Sequence, residues 1–205
     1  NTKVCSGGNS IVTVQGTPNA TVTYNNGTAN NTVVLNSSGV ATIALNNITS
    51  DISLTLVSIA NSCPNSATGS VSVEVIPLPN VAAANVSISS STVCYETSNT
   101  VSISNATDLD GDYIINYTLS GAISLSRSAT VNFAGGAGSF VINSSDINAS
   151  GTVTVTIQDI ASVSTGCSVS GATFNNTVNF TVYPRVPDAT LKPKGEAFCS
   201  KIGAD

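Results

Sequence analysis

Residues 153–158 read Val-Thr-Val-Thr-Ile-Gln, and residues 52–57 read Ile-Ser-Leu-Thr-Leu-Val. In both stretches apolar side chains largely alternate with polar ones. Successive side chains of a β-strand point to opposite faces of the sheet, so this pattern predicts strands with one buried and one solvated face. No segment carries the 3.6-residue apolar period of an amphipathic helix. The sequence therefore indicates an all-β protein.

The segments around these two strands recur in the same order, which indicates an internal repeat. Each copy has about seven short alternating segments with turn residues between them, the pattern of a β-sandwich. We predict tandem immunoglobulin-like antiparallel β-sandwich repeats. The matching segments, in chain order, are 3–5 with 92–94 and 197–199, 11–14 with 101–104, 22–27 with 115–121, 32–35 with 130–133, and 71–77 with 178–184.

Prolines mark the places where one repeat passes to the next. Pro77 and Pro79 follow the last strand of the first copy, and Pro184 and Pro187 follow that of the second. Proline cannot donate to a strand ladder, so it ends the strand and stiffens the joint. We predict a first repeat at residues 1–78 with its N-terminal strand missing, a second at 79–185, and a linker with the start of a third at 186–205.

The composition excludes several classes of function. Charged residues make up 8% of the chain, the net charge is −5, and four of the six basic residues lie at or beyond position 185, so a phosphate-binding surface for nucleic acid is not expected. No apolar run approaches the ~20 residues that span a membrane. The sequence has no His to activate a nucleophile, and its acids are scattered. We expect no enzymatic activity, no nucleic-acid partner and no membrane insertion.

The five cysteines are widely spaced, and no His accompanies them, so a metal site is not predicted. Wide spacing in a charge-poor β protein indicates disulfides and an oxidising compartment. The repeat predicts the pairs Cys5–Cys63 and Cys94–Cys167, each joining an early and a late strand of one unit. Cys199 is then unpaired or belongs to the next repeat. Closing loops of this length is worth about 4 kcal/mol in the loop-entropy model.

The lead-in segment before Cys94, residues 81–91, has no counterpart before Cys5. Its counterpart, residues 188–197, lies before Cys199. Two explanations stay open. The chain is a window of two repeat periods from a longer array, or its tail completes the first unit of another copy by β-strand addition.

Several segments of the sequence together resemble a known family. The segments Thr92-Val93-Cys94, 109–121, 140–142, 151–157 and Thr165-Gly166-Cys167 resemble the repeat of giant cell-surface adhesins of Bacteroidetes, which include the SprB-type gliding-motility adhesins. The resemblance spans nearly the whole chain and is closest in the second repeat. It implies export by a type IX secretion system, a cell-surface filament and adhesion to a surface or polysaccharide. The family supplies no catalytic or binding residues.

Three acids at alternate positions, Asp108, Asp110 and Asp112, form a candidate calcium site, since Ca²⁺ takes six to eight oxygen ligands. An EF-hand loop requires Gly at its sixth position and an acid at its twelfth, and the chain has Tyr113 and Leu119 there. The simpler interpretation is a solvated hairpin turn at Asp110-Gly111. Apart from this candidate calcium site, no cofactor is expected.

Asn-X-Ser/Thr sequons recur along the chain and are candidate glycosylation sites. The simpler interpretation, which we favour, is that Asn, Ser and Thr are the ordinary surface residues of a charge-poor protein. The sequons singled out are Asn19, Asn26, Asn47, Asn85, Asn105, Asn116 and Asn148.

Three functions follow from these observations. The first is a structural or adhesive stalk segment of an extracellular, cell-surface repeat adhesin, whose partners are neighbouring repeats and a surface or polysaccharide ligand. The second is a subunit of an extracellular filament in which copies of the same protein exchange strands. The third is a carbohydrate-binding module of an exported protein, which the 5% aromatic content and the lack of Trp disfavour.

Overall fold

The computed structural model describes residues 2–61 and 64–185 of the chain. The chain divides between Leu78 and Pro79, the boundary predicted between the first two repeats, into two units, called unit 1 and unit 2. Cys63, Cys199 and the predicted start of a third repeat lie outside the described residues. Over the described ranges, no helix has the length and apolarity needed to cross a membrane.

Unit 1 contains two sheets. Six strands form one sheet in the order β1-β8-β6-β3-β4, with β7 added on β6, and β2 pairs with β5 in the other. The strands are β1 (Thr2–Cys5), β2 (Gly8–Gln15), β3 (Thr21–Asn25), β4 (Asn30–Val34), β5 (Val40–Ile48), β6 (Ile52–Ala60), β7 (Pro64–Ser66) and β8 (Ser70–Ile76).

Unit 2 repeats this plan with one strand more. Its large sheet has the order β10-β17-β15-β12-β13 with β16 added on β15, and its small sheet has the order β14-β11-β9. The elements are β9 (Asn85–Ile88), β10 (Thr92–Cys94), β11 (Asn99–Ser104), β12 (Gly111–Gly121), β13 (Leu125–Phe133), β14 (Gly138–Ile142), a 3-10 turn (Ser144–Asp146), β15 (Gly151–Ser162), β16 (Ser168–Ser170), a second 3-10 turn (Gly171–Thr173) and β17 (Thr177–Tyr183).

Each unit is an immunoglobulin-like sandwich, which confirms the predicted fold class. The two units also share a β-bulge at the same place in the large sheet. A register shift in unit 1 places Tyr24 opposite Leu56, and one in unit 2 places Tyr117 opposite Ile157. A bulge re-aims the side chains beside it and is a specific feature of a strand pair. The same bulge at the same place confirms that the two units are copies of one plan.

The cores follow from the alternation in sequence. Along β15, Val153, Val155 and Ile157 are fully buried, because they face the small sheet, while the threonines between them lie on the other side. Unit 2 has a cluster of 23 buried apolar side chains, whereas the corresponding cluster in the described part of unit 1 has six. Unit 1 is therefore the less completely packed of the two sandwiches.

The turn and boundary predictions are largely correct. β8 ends immediately before Pro77 and β17 immediately before Pro184, and Asn25-Asn26-Gly27 forms the β3–β4 hairpin turn, closed by a hydrogen bond from Asn26 N to Ala29 O. The predicted hairpin turn at Asp110-Gly111 is wrong. Gly111 begins β12, and the preceding strand, β11, belongs to the other sheet, so this loop crosses between sheets.

Candidate functional site

An open strand edge in unit 1 is the most distinctive surface of the described chain. Among the described residues β2 pairs with β5 alone, whereas its counterpart β11 is held on both sides by β14 and β9. Beside β2, between the two sheets, lies a cavity of about 400 Å³. The lining is mixed: polar residues such as Thr2, Thr13, Gln15 and Ser70 contribute to it. Its apolar members include Val12, Val14, Ile43, Leu54, Leu56 and Val71.

In unit 2 the same place is filled by side chains. Val86 of β9 and, just before that strand, Val81 and Ala84 are buried members of the core cluster, and Ile88 packs against it. β9 lies antiparallel to β11 with Ile88 opposite Val101 and Val86 opposite Ile103. The cavity of unit 1 thus corresponds to the position that a lead-in strand occupies in unit 2.

Asn99 anchors the segment that follows β9 in unit 2. This buried residue donates from Nδ2 to Ser90 O, and its Oδ1 accepts hydrogen bonds from Ser89 Oγ and from the backbone N–H groups of Ser90 and Thr100. A buried amide with both ends satisfied holds the connected backbone in one register. The lead-in strand is therefore tied to β11 by side-chain as well as ladder hydrogen bonds.

Unit 2 also contains an ion pair at the edge of its core. Arg127 donates from Nε and Nη2 to the two carboxylate oxygens of the buried Asp146, at 3.1 and 2.7 Å. Tyr117 lies directly across from Arg127 in the sheet and packs its ring on Phe140, with centroids 4.6 Å apart. Burial, and then the nearby negative charge of Asp146, raise the pKa of the Tyr117 hydroxyl.

This raised pKa predicts a loss of stability in alkaline solution. As pH rises above the ordinary tyrosine value of about 10, the unfolded chain loses the proton first, so the free energy of unfolding falls. The contribution is intact below that value and lost as pH rises through the raised pKa. We expect urea unfolding across this range to show a steeper decline for the native chain than for Tyr117→Phe. Equal slopes would contradict the assignment.

The three candidate calcium ligands do not gather around one point. Asp108 accepts a hydrogen bond from Asn80 Nδ2, and Asp112 accepts one from Asn132 Nδ2 across the β12–β13 pair. Within residues 2–61 and 64–185, no group of three acidic or cysteine side chains is placed to hold a metal ion. This arrangement does not support the calcium hypothesis, which stays a prediction.

Cys5, Cys94 and Cys167 are all disulfide-bonded, which supports the predicted oxidising compartment. The partner predicted for Cys5, Cys63, lies outside the described residues. The two cysteines of unit 2 lie at opposite ends of the large sheet. Val93, beside Cys94, pairs with Val182, which pairs with Gly151 at the start of β15. Cys167 accepts a hydrogen bond from Ser162 N at the end of β15.

The predicted pair Cys94–Cys167 is therefore wrong. The 12 residues of β15 separate the two positions by about 35 Å at roughly 3.3 Å per residue. The Cα atoms of a disulfide lie within about 7 Å of each other. Since both cysteines are bonded, they belong to two different disulfides.

Peptide mapping of the unreduced chain tests whether Cys94 and Cys167 belong to different disulfides. Cleavage before Asp and after Glu puts every cysteine on its own peptide, and we expect the peptides of Cys94 and Cys167 in separate cross-linked species by mass spectrometry. A cross-link joining these two peptides would contradict the positions described here. The five peptides are 1–50, 51–74, 75–96, 159–187 and 197–204.

The candidate glycosylation sites are mostly accessible. Asn19, Asn26, Asn47, Asn85, Asn105 and Asn148 are exposed. Several of them serve local structure, since Asn26 Oδ1 accepts three hydrogen bonds in the β3–β4 turn, and Asn19, Asn47 and Asn105 adopt positive φ. Asn116 is half-buried and donates to Asp159. Glycosylation itself stays a prediction.

Four of the five tyrosines serve the cores. Tyr117 is buried, Tyr113 makes an edge contact with Phe133, and Tyr24 and Tyr95 pack against the clusters of their units. Aromatic rings engaged in this way are not available as a flat platform for stacking on sugar rings. The described surface thus adds no support for a carbohydrate-binding module.

Sequence reasoning missed the Arg127–Asp146 pair and the cavity beside β2. The two charges lie 19 residues apart, and nothing in their local sequence pairs them. A signal for the cavity was present, because the lead-in segment before Cys94 has no counterpart before Cys5. What the sequence did not show is that this segment fills a hollow between two sheets.

Comparison with known proteins gives a likeness of fold alone. No protein-family model and no curated protein matches the sequence. A structure of a 1.5-MDa bacterial ice-binding adhesin is similar at 15% identity and a TM-score of 0.38, over 90% of this chain and 62% of that chain. Murine CEACAM1b is similar at 14% identity and a TM-score of 0.35, over 88% of this chain and 95% of that chain. A chimeric titin Z1Z2 is similar at 14% identity and a TM-score of 0.32, over 90% of this chain and 92% of that chain. At these TM-scores none of the likenesses carries an argument about function.

Proposed function

We propose that the chain is a non-catalytic stalk segment of an extracellular repeat adhesin, with sandwich units arranged in series. One observation carries the proposal: in both units the first strand of the large sheet lies parallel to the last. β1 pairs with β8 over four residues, and β10 pairs with β17 over three. The start of one parallel strand and the end of the other lie at opposite ends of the pair, so tension applied along the chain loads their hydrogen bonds together, in shear.

Composition and cysteines agree with this function. The charge-poor surface of Ser, Thr, Asn and Gly has few sites for proteases that require Lys or Arg. The disulfides suit an extracellular location. The resemblance of the repeat to Bacteroidetes adhesins supports the finer proposals of a cell-surface filament, export by type IX secretion, a gliding-related role, and adhesion to a surface or polysaccharide.

Single-molecule pulling on both ends of the chain tests the stalk function. Thr181 N donates to Ser91 O at 2.8 Å across the parallel pair, so Thr181→Pro removes one of the sheared hydrogen bonds. Asn179→Pro, on the same side of β17 but outside the parallel register, is the matched control. We expect the force that unfolds unit 2 to fall clearly more in Thr181→Pro. Equal forces in the two variants would overturn the proposal.

A second function is favoured by the open edge of β2 and its cavity, namely a subunit of an extracellular filament assembled by β-strand addition. Edges that present unpaired backbone groups are natural sites for a strand from another chain. This function and the stalk are compatible, because one depends on the open edge of β2 and the other on the parallel strand pairs. The carbohydrate-binding module has no observation in its favour.

A further inference from the structure

The open edge of β2 accepts a strand in a defined register. The first cysteines of the two units are each followed by an equivalent strand, so Val12 and Val14 of β2 correspond to Val101 and Ile103 of β11. Both pairs face inward. In unit 2 these positions lie opposite Ile88 and Val86 of β9. An added strand on β2 therefore needs apolar residues at two alternate positions.

The hydrogen-bond pattern of this register decides where proline is tolerated. Ser89 N donates to Thr100 O, so Ser89 and Thr100 form a hydrogen-bonded pair of the antiparallel ladder. Hydrogen-bonded and non-hydrogen-bonded pairs alternate, which makes Ile88 and Val101 a non-hydrogen-bonded pair. The N–H at the Ile88 position points away from the ladder. A proline there costs no hydrogen bond to the neighbouring strand.

One segment of the chain meets both requirements. Residues 184–199 align without a gap on residues 79–94, and both stretches begin with Pro and end with Cys. In this alignment Leu191 takes the place of Val86, and Pro193 takes the place of Ile88. Val186 and Ala189 likewise match the buried Val81 and Ala84. Lys192 and Lys194 take the places of Ser87 and Ser89, which are exposed.

We propose that residues 190–194 of a second copy add to β2 as an antiparallel strand, with Pro193 opposite Val12 and Leu191 opposite Val14. Leu191 and the apolar residues before it then fill the cavity of about 400 Å³ that adjoins these two valines. The inference rests on the filament function proposed for the chain. The stalk function is independent of it, because the pulling experiment probes unit 2 and its parallel strands.

The test compares two matched variants of the 205-residue chain by sedimentation over a range of concentrations. Leu191→Asp buries a carboxylate between the sheets, whereas Lys192→Asp places one on the outer face. Burying an unpaired charge is strongly unfavourable, so we expect Leu191→Asp to weaken association at least about a hundredfold and Lys192→Asp to leave association largely intact. A chain ending at Arg185 is expected to bind the peptide 186–198, which ends before Cys199 and so cannot be captured through a disulfide.

Mixing two variants, one that cannot accept a strand and one that cannot donate it, tests whether the added strand comes from a second copy. Thr13 corresponds to Ser102, which lies opposite Ser87 of β9 in a hydrogen-bonded position, so its N–H is expected to face the open edge of β2. Thr13→Pro removes this donor, so the variant donates a strand and does not accept one, while Leu191→Asp accepts and does not donate. Each alone is expected to be monomeric, and the mixture to form a heterodimer and nothing larger. A native chain that is monomeric at every concentration would overturn the proposal, and so would association that survives Leu191→Asp.

Discussion

Replacing Ile115 by alanine is expected to lower the free energy of unfolding of unit 2 by about 2–5 kcal/mol. Ile115 is fully buried on β12, which lies between β13 and β15 in the middle of the large sheet. Truncating its side chain removes apolar contacts and leaves a cavity that the flanking strands, hydrogen-bonded on both sides, cannot close. For a domain of this size the expected shift of the melting temperature is about 10–30 °C.

The adjacent residue supplies the control for this substitution. Ile114 lies on the opposite face of the same strand and is 37% exposed. The same change, Ile114→Ala, is expected to cost about 1 kcal/mol or less, because much of that side chain already contacts water. Calorimetry of the two variants and the native chain measures the difference. Equal losses for Ile114→Ala and Ile115→Ala would mean that the faces of β12 are assigned incorrectly.

Leu35→Ala is expected to destabilise unit 1 selectively. Leu35 is 1% exposed and is one of the six buried apolar side chains of its cluster, and its N–H donates to Ala20 O. A domain of about 80 residues has a stability of about 4–12 kcal/mol. A loss of about 2–5 kcal/mol is therefore a large part of the total. The core cluster of unit 2 shares no residue with that of unit 1, so the transition of unit 2 should not move.

Val34→Ala is the control for this second prediction, since Val34 precedes Leu35 in the chain and is 63% exposed. Hydrogen exchange followed by mass spectrometry distinguishes the units. We expect Leu35→Ala to accelerate exchange in peptides of β3, β5 and β6 while those of β12 and β15 exchange as in the native chain. Acceleration in both units would show that the two sandwiches unfold as one cooperative body.

Strand positions could be predicted because the relevant signal is local. The alternation of Val153, Val155 and Ile157 with threonines predicts which face of the strand is buried, without any knowledge of the neighbouring strands. In the structure those three side chains are buried. Pro77 and Pro184 likewise end strands through their own lack of an N–H group. Because the two units repeat one plan, this local information applies to both of them.

The disulfide pairing could not be predicted from local patterns in the sequence. Cys94 and Cys167 occupy corresponding early and late positions in the sequence of one unit, which suggested that they meet. Their separation depends on the direction of each strand and on which end of β15 each cysteine adjoins. The parallel pairing of β10 with β17 places Cys94 at one end of β15, and the turn after Ser162 places Cys167 at the other.

The sequence by itself determined the all-β class, the two copies of one plan, the boundary near Pro79 and the buried face of strands such as β15. These features follow from period-2 alternation, proline and internal repetition, which are all visible in the sequence itself. The tertiary structure alone decided that Cys94 and Cys167 belong to different disulfides, that Arg127 reaches Asp146, and that a cavity adjoins the open edge of β2. Each of these depends on which strands lie side by side and in which direction they run, and strand pairing is set by packing between residues far apart in the chain.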